Sequence, residues 1–150
     1  EQLLSFSHWL TPEVVSRRFA TWFYLAVLDD DLPIAVDGSE IVDYRWVRPA
    51  VALEEHRCGT LQAPPPTLVT LTDIASDTTV EALRDRIALR EPPYFFPKLH
   101  KLETGMLFLY PGDAGYEQND PQTDGIRHRM VMAPGVLDYE RSYDWPVREG

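Results

Sequence analysis

One stretch, Arg18 to Leu28, constrains the fold more than any other. Phe19, Trp22, Phe23, Tyr24, Leu25 and Val27 are aromatic or aliphatic, and no glycine or proline interrupts them. Such residues favour a pleated strand. A strand with one wet face alternates apolar with polar residues, whereas this one is apolar on both faces for most of its length. It therefore predicts a central strand covered from both sides. Asp29-Asp30-Asp31 and Pro33 end it, and Asp37-Gly38 forms a turn pair. Glu40 to Val47 then alternates, with Ile41, Asp43 and Arg45 on one side and Val42, Tyr44 and Trp46 on the other. Strand, turn and strand predict a hairpin or meander.

Around this pair the chain mixes short strands and helices. Leu3 to Trp9 alternates weakly, as a short strand does, and Thr11-Pro12-Glu13 breaks it. Pro49 fits the first position of a helix that Gly59 is placed to end. Pro64-Pro65-Pro66 predicts an extended linker, with Thr67 capping a helix through about Ala75. Thr78 or Thr79 starts another helix, with Val80, Leu83 and Ile87 on one face and Glu81 set for a capping box. Glu91-Pro92-Pro93 stops it, and Tyr94-Phe95-Phe96-Pro97 leads into a stretch flanked by Lys98, His100 and Lys101. Met106 to Tyr110 predicts a strand, Pro111-Gly112-Asp113 a turn and residues 113–125 a long loop. Arg127 to Met132 and Val136 to Tyr139 predict two further strands.

Charge narrows the partners. Lys and Arg total 14 against 24 Asp and Glu, a net charge of −10, which argues against nucleic acid or an anionic membrane as the main partner. The apolar run Trp22 to Leu28 is too short to span a bilayer. The single cysteine, Cys58, cannot close an internal disulfide, which fits a reducing compartment and predicts a cytoplasmic protein.

Local catalytic motifs are absent. His8, His56, His100 and His128 are too far apart in sequence for metal-ligand spacing, and no G-x-S-x-G, Walker or G-x-G-x-x-G pattern occurs. Asp29-Asp30-Asp31 suits a hard cation by its oxygen chemistry, but a solvated turn after an apolar strand is the better reading. Arg127 and Arg129 share a strand face and are placed to grip phosphate or carboxylate, with pairing to the chain's own acids the favoured alternative. No catalytic residue and no metal ligand is assigned.

Order and spacing do carry a resemblance. Phe6 to Pro12 contains Trp9-Leu10-Thr11-Pro12, followed by Arg18-Phe19-Ala20-Thr21-Trp22-Phe23-Tyr24-Leu25-Ala26. Asp37 to Glu40, then Trp46-Val47-Arg48-Pro49 and Ala52-Leu53, complete the series. The series resembles the second half of a Nudix hydrolase domain, with its "W-x-T-P" turn, its "R-F-D-T-x-F-F-L-A" strand and a following "W-x-x-P". Ala20 stands where the family has Asp. Tyr110 to Asp113 and Arg127 to Val131 resemble more loosely the C-terminal extension of the family's acyl-CoA diphosphatase branch.

The resemblance implies an α/β (mixed α+β) fold. Residues 1–75 would form the C-terminal half of a Nudix-like domain, and residues 76–150 a helical and strand extension packing on it. The Nudix box that places magnesium-binding glutamates on one helix is absent. Glu54-Glu55 lacks the Arg-Glu before it, and Arg90-Glu91 runs into Pro92-Pro93. The chain is therefore expected to be a fragment whose box lies upstream of Glu1, inactive alone. The intact parent would cleave a nucleoside- or CoA-type small-molecule diphosphate with Mg or Mn. Three residues would face that substrate: Arg18 on an anionic group, Glu40 as a carboxylate outside the box, and Trp46 stacking on a base or an acyl chain. A non-catalytic acidic protein-binding module of Nudix-like or unrelated α+β fold is the alternative, and an exposed sheet edge would favour a homo-oligomer.

Overall fold

The structure, a computed structural model, describes residues 3–28 and 34–148. It is mixed α/β, with two sheets and three helices among the described residues. The elements in order are β1 (Leu4–Leu10), β2 (Ala20–Leu25), α1 (Pro49–Arg57), α2 (Pro65–Ile74) and α3 (Val80–Leu89), then β3 (Tyr94–Phe95), β4 (Lys98–Leu102), β5 (Gly105–Leu109), β6 (His128–Ala133) and β7 (Val136–Arg141). The first sheet runs β2-β1-β3, with β1 antiparallel to β2 and parallel to β3. The second is an antiparallel meander, β4-β5-β6-β7.

Three local signals place the helices. Pro65 and Pro66 occupy the first turn of α2, where no backbone N–H needs a partner, so the helix starts at the prolines and not at Thr67. Thr79 caps α3 by accepting from the amide of Ala82 at 3.1 Å. Gly59, with φ of +77°, takes the left-handed step after α1.

Packing joins both parts of the chain. Trp9 of β1 lies in one core with Val69 of α2, Phe95 of β3, Phe108 of β5, Tyr110 and Met130 of β6. Trp9 and Phe95 stack at 3.9 Å, with Tyr110 edge-on to both. A second cluster packs Leu83 and Ile87 of α3 on Leu4 and Phe6 of β1. The bulge between Ser5 and Ser7 lets Phe6 and Trp9 both point inward. Arg90, 3% exposed, crosses the seam, donating to Asp73 at 2.6 Å and to the Phe6 carbonyl at 3.2 Å.

Three expectations are corrected. The strand expected over Arg18 to Leu28 is the shorter β2, and it lies at a sheet edge with Trp22 48% and Tyr24 51% exposed. Only its Phe23 and Leu25 side reaches the cores, because no described strand lies beyond it. No strand forms over 40–47. There Asp37 accepts from the amides of Ser39, Glu40 and Ile41, winding the chain into a tight turn, and the alternating residues that follow meet no partner strand. β4 is a strand where only a basic-flanked stretch was expected; its Leu99 packs against the Trp9 core. Asp29-Asp30-Asp31 and Pro33 lie outside the described residues.

Candidate functional site

An apolar concavity opens where β1 ends. Its volume is about 420 Å³. One wall is the β1–β2 hairpin, through Trp9, Thr11, Phe19 and Phe23; the opposite wall is the proline ridge Pro64–Pro66. Leu99 of β4, Phe108 of β5 and Met132 of β6 close its base. These walls come from four distant parts of the sequence, and only the fold brings them together.

Thr11 holds the mouth. Its hydroxyl accepts from the Phe19 amide at 2.9 Å and donates to the Phe19 carbonyl at 3.2 Å, while its own amide donates to that carbonyl at 3.0 Å. The loop 12–18 is thereby closed across the turn that follows Trp9. Arg18 stands beside the mouth, adjacent to Phe19, with its guanidinium 5.4 Å from the centre of the Phe96 ring. Phe96 neighbours Pro97, which lines the groove. The aromatic face steadies the cation while leaving its donors open to an anion. The arrangement is an apolar slot with a positive charge at its rim. It suits an amphipathic ligand with an aliphatic part and an anionic part.

The three residues singled out from sequence do not converge. Arg18 flanks the groove, whereas Glu40 and Trp46 lie on the exposed stretch 34–48, with Trp46 74% exposed. None of the three lines the groove, which Arg18 meets only through its neighbour Phe19. Arg45, between them, pairs with Glu55 of α1. Among the described residues, no group of three or more His, Cys, Asp or Glu is placed to hold a metal ion.

A second polar cluster is structural. Asp113, fully buried, receives Arg129 in a bidentate pair at 2.6 and 2.7 Å, together with the amides of His128 at 2.9 Å and Gly115 at 2.9 Å. Burial pushes its carboxyl up, but Arg129 and the two amides outweigh burial and hold it below the usual range. Both arginines therefore pair with the chain's own acids, as the favoured alternative had it: Arg129 with Asp113, and Arg127, just before β6, with Asp124 at 3.8 Å. Arg127 donates to the Thr123 carbonyl at 2.5 Å. His128, fully buried, donates from Nδ1 to the Pro111 carbonyl at 2.7 Å, which leaves Nε2 to accept from the Tyr139 hydroxyl at 3.1 Å. Burial lowers its pKa to about 4. From sequence, Pro111-Gly112-Asp113 is a turn and part of the resemblance to the C-terminal extension, with no role given to the Asp113 side chain. The spacing of Asp113 from Arg129 carries no local signal of their pairing.

Comparison with known proteins adds the relatives. The chain is 29% identical over 143 residues to "Acyl-coenzyme A diphosphatase NUDT19" of Xenopus laevis, a match covering 91% of this chain and 37% of that protein. It is 31% identical over 119 residues to the human protein of the same name, covering 76% of this chain and 32% of that protein. It is 33% identical over 75 residues to "Putative nudix hydrolase 7" of Caenorhabditis elegans, covering 50% of this chain and 25% of that protein. The chain thus spans about a third of the length of the curated relatives it matches. No protein-family model and no solved structure matches it.

Proposed function

From a chain that is related to Nudix hydrolases over much of its length, we infer the substrate-facing part of a diphosphate hydrolase. The substrate in this reading is a small-molecule diphosphate of the nucleoside or coenzyme A type. The observation that carries it is the 29% identity with an acyl-coenzyme A diphosphatase across 91% of this chain. The groove supports the acyl form of the substrate. Its lining is almost wholly carbon, and a slot of about 420 Å³ accommodates an aliphatic chain.

Each residue has a role in this reading. The groove takes the acyl chain out of water, each buried methylene contributing about 0.8 kcal/mol. Arg18 meets a phosphate or carboxylate at the rim. Trp46 offers an open ring to a nucleobase, and Glu40 a carboxylate without an ion-pair partner among the described residues. Magnesium or manganese would neutralise the phosphates and activate water. The described carboxylates do not fit that ion. Asp37 is engaged by backbone amides, Glu55 by Arg45 and Glu54 by Arg57, and they form no metal-holding group. The metal-holding carboxylates therefore belong, in this reading, to polypeptide outside these 150 residues, and the chain alone is inactive.

Calorimetric titration of the chain with decanoyl-coenzyme A and with coenzyme A tests this. The acylated ligand is expected to bind at least tenfold more tightly, equivalent to about 1.4 kcal/mol, which two buried methylenes supply. Met132→Asp at the base of the groove should erase the difference. Equal affinity for both ligands refutes the groove assignment. Product release by the chain alone with magnesium or manganese refutes the division of labour.

A further inference from the structure

We propose that a concavity at the C-terminal end of α3 binds a small organic oxyanion, a carboxylate or a phosphate ester with an apolar body. The concavity lies between the ends of α2 and α3 and the chain that follows β7, and its volume is about 490 Å³. It shares no lining residue with the groove beside Thr11, so it does not depend on the functional reading above.

Three arginines, Arg86, Arg90 and Arg141, line it. On a chain with a net charge of −10, that is a local concentration of the opposite sign. Two of the three are already matched. Arg86 pairs with Asp77 at 2.5 Å and with Asp73 at 3.1 Å, and Arg90 pairs with Asp73 at 2.6 Å. Arg141 makes no ion pair among the described residues. It donates to the Tyr143 carbonyl and lies over the Trp145 ring, 4.4 Å from its centre. The ring and the carbonyl orient the guanidinium and leave its other N–H donors open. Asp144 also lines the concavity, but it is exposed and pairs with none of the three.

Arg90 registers the surplus of positive charge. It is 3% exposed, and its Nε has no hydrogen-bond partner. Burial lowers its pKa against the pull of Asp73, and the like charges of Arg86 and Arg141 lower it further. An added negative charge in this concavity therefore relieves a crowding that the chain's own acids leave in place.

The walls set the rest of the ligand. The space is in the range of small-molecule sites and larger than an inorganic anion fills. Leu89 and Val147, 63% and 67% exposed, offer aliphatic surface to an apolar body. Both walls are tied together, since the Glu91 amide donates to the Pro146 carbonyl at 3.0 Å and the Arg148 amide to the Leu89 carbonyl at 2.8 Å. A planar guanidinium grips a carboxylate or a phosphate through two parallel N–H donors, which makes these the two head groups.

NMR titration of the isotope-labelled protein with hexanoate, hexyl phosphate and hexanol tests the site, read at the Arg86 and Arg141 Nε–H signals and the Trp145 indole. At least one of the two anions should bind about tenfold more tightly than hexanol. The tighter of the two identifies the head group. Arg141→Gln keeps a donor for the Tyr143 carbonyl and removes the charge. Leu89→Glu changes an exposed side chain and sets a like charge at the rim. Each should weaken anion binding about tenfold, and the second decides the matter if the first fails to fold. Binding of hexanol as tight as that of both anions overturns the proposal, and so does undiminished anion binding in a folded variant. Shifts confined to Thr11, Phe19 and Met132 overturn it as well, because the ligand would then occupy the groove.

Discussion

Acid should loosen this fold through one buried imidazole. His128 is fully buried, and both ring nitrogens are engaged, Nδ1 by the Pro111 carbonyl and Nε2 by the Tyr139 hydroxyl. Burial lowers its pKa from 6.5 to about 4, and the Arg141 guanidinium acts in the same direction. The unfolded chain therefore takes up this proton near pH 6.5, whereas the folded chain refuses it until near pH 4. Between those values the unfolded state binds more protons, so stability falls as the pH is lowered through 6.5. Integrating the linkage gives a loss of about 2 kcal/mol from pH 7 to pH 5 and about 3 kcal/mol by pH 4. Asp113 and Asp37 also lose stabilising charge in acid, but the folded pKa of each lies below 3.8, so they leave the window above pH 5 clear. Urea unfolding followed by tryptophan fluorescence at pH 7, 6 and 5 measures the loss. His128→Gln keeps an amide donor for Pro111 and removes the titration, so its stability should change little over the same range, whatever its absolute value. A wild-type loss below about 0.5 kcal/mol, or an equal slope in the variant, refutes the reasoning.

Asp113→Asn should destabilise by about 3 kcal/mol, because it leaves the Arg129 guanidinium, 14% exposed, without its carboxylate. Urea denaturation measures this, and adding Arg129→Met should recover part of the loss. Gly115→Ala should cost more than about 2 kcal/mol, since its Cβ would meet the Asp120 carbonyl oxygen at 2.0 Å, a backbone atom that cannot move aside cheaply; thermal unfolding reads it. Thr11→Val should cost about 1 kcal/mol through the lost bonds to Phe19 and weaken acyl-ligand binding by opening the mouth of the groove. Calorimetry on the same sample separates the two effects.

Local chemistry was legible where it decides the structure by itself. Thr79 before Val80, proline at the opening of α1 and glycine after α1 each satisfy or end a helix within one turn, whereas the prolines expected as a linker before Thr67 are themselves the first turn of α2. The apolar strands β5 and β6 also announced themselves. Residues 40–47 did not behave alike, because alternation chooses a face only when a neighbouring strand offers one, and none of the described strands does. β4 was hidden for the converse reason. Lys98, His100 and Lys101 mask Leu99, and pairing with β5 makes the segment a strand despite its composition. The groove was not legible. Pro64, Leu99, Phe108 and Met132 carry no shared sequence signal, and they meet only because α2 and the second sheet pack on the same end of β1.

β2 is the instructive case, since its sequence and its place in the sheet disagree. A strand apolar on both faces belongs where both faces are covered, yet here one face packs on Phe6 and Trp9's cores and the other meets water. Local propensity cannot account for the mismatch, because the residues that form the strand, Trp22 and Tyr24 among them, would form it equally well with threonine or lysine outward. The hairpin thus carries two unlike faces: Phe19, Thr21 and Phe23 line the apolar groove on one side, and Trp22 and Tyr24 meet solvent on the other.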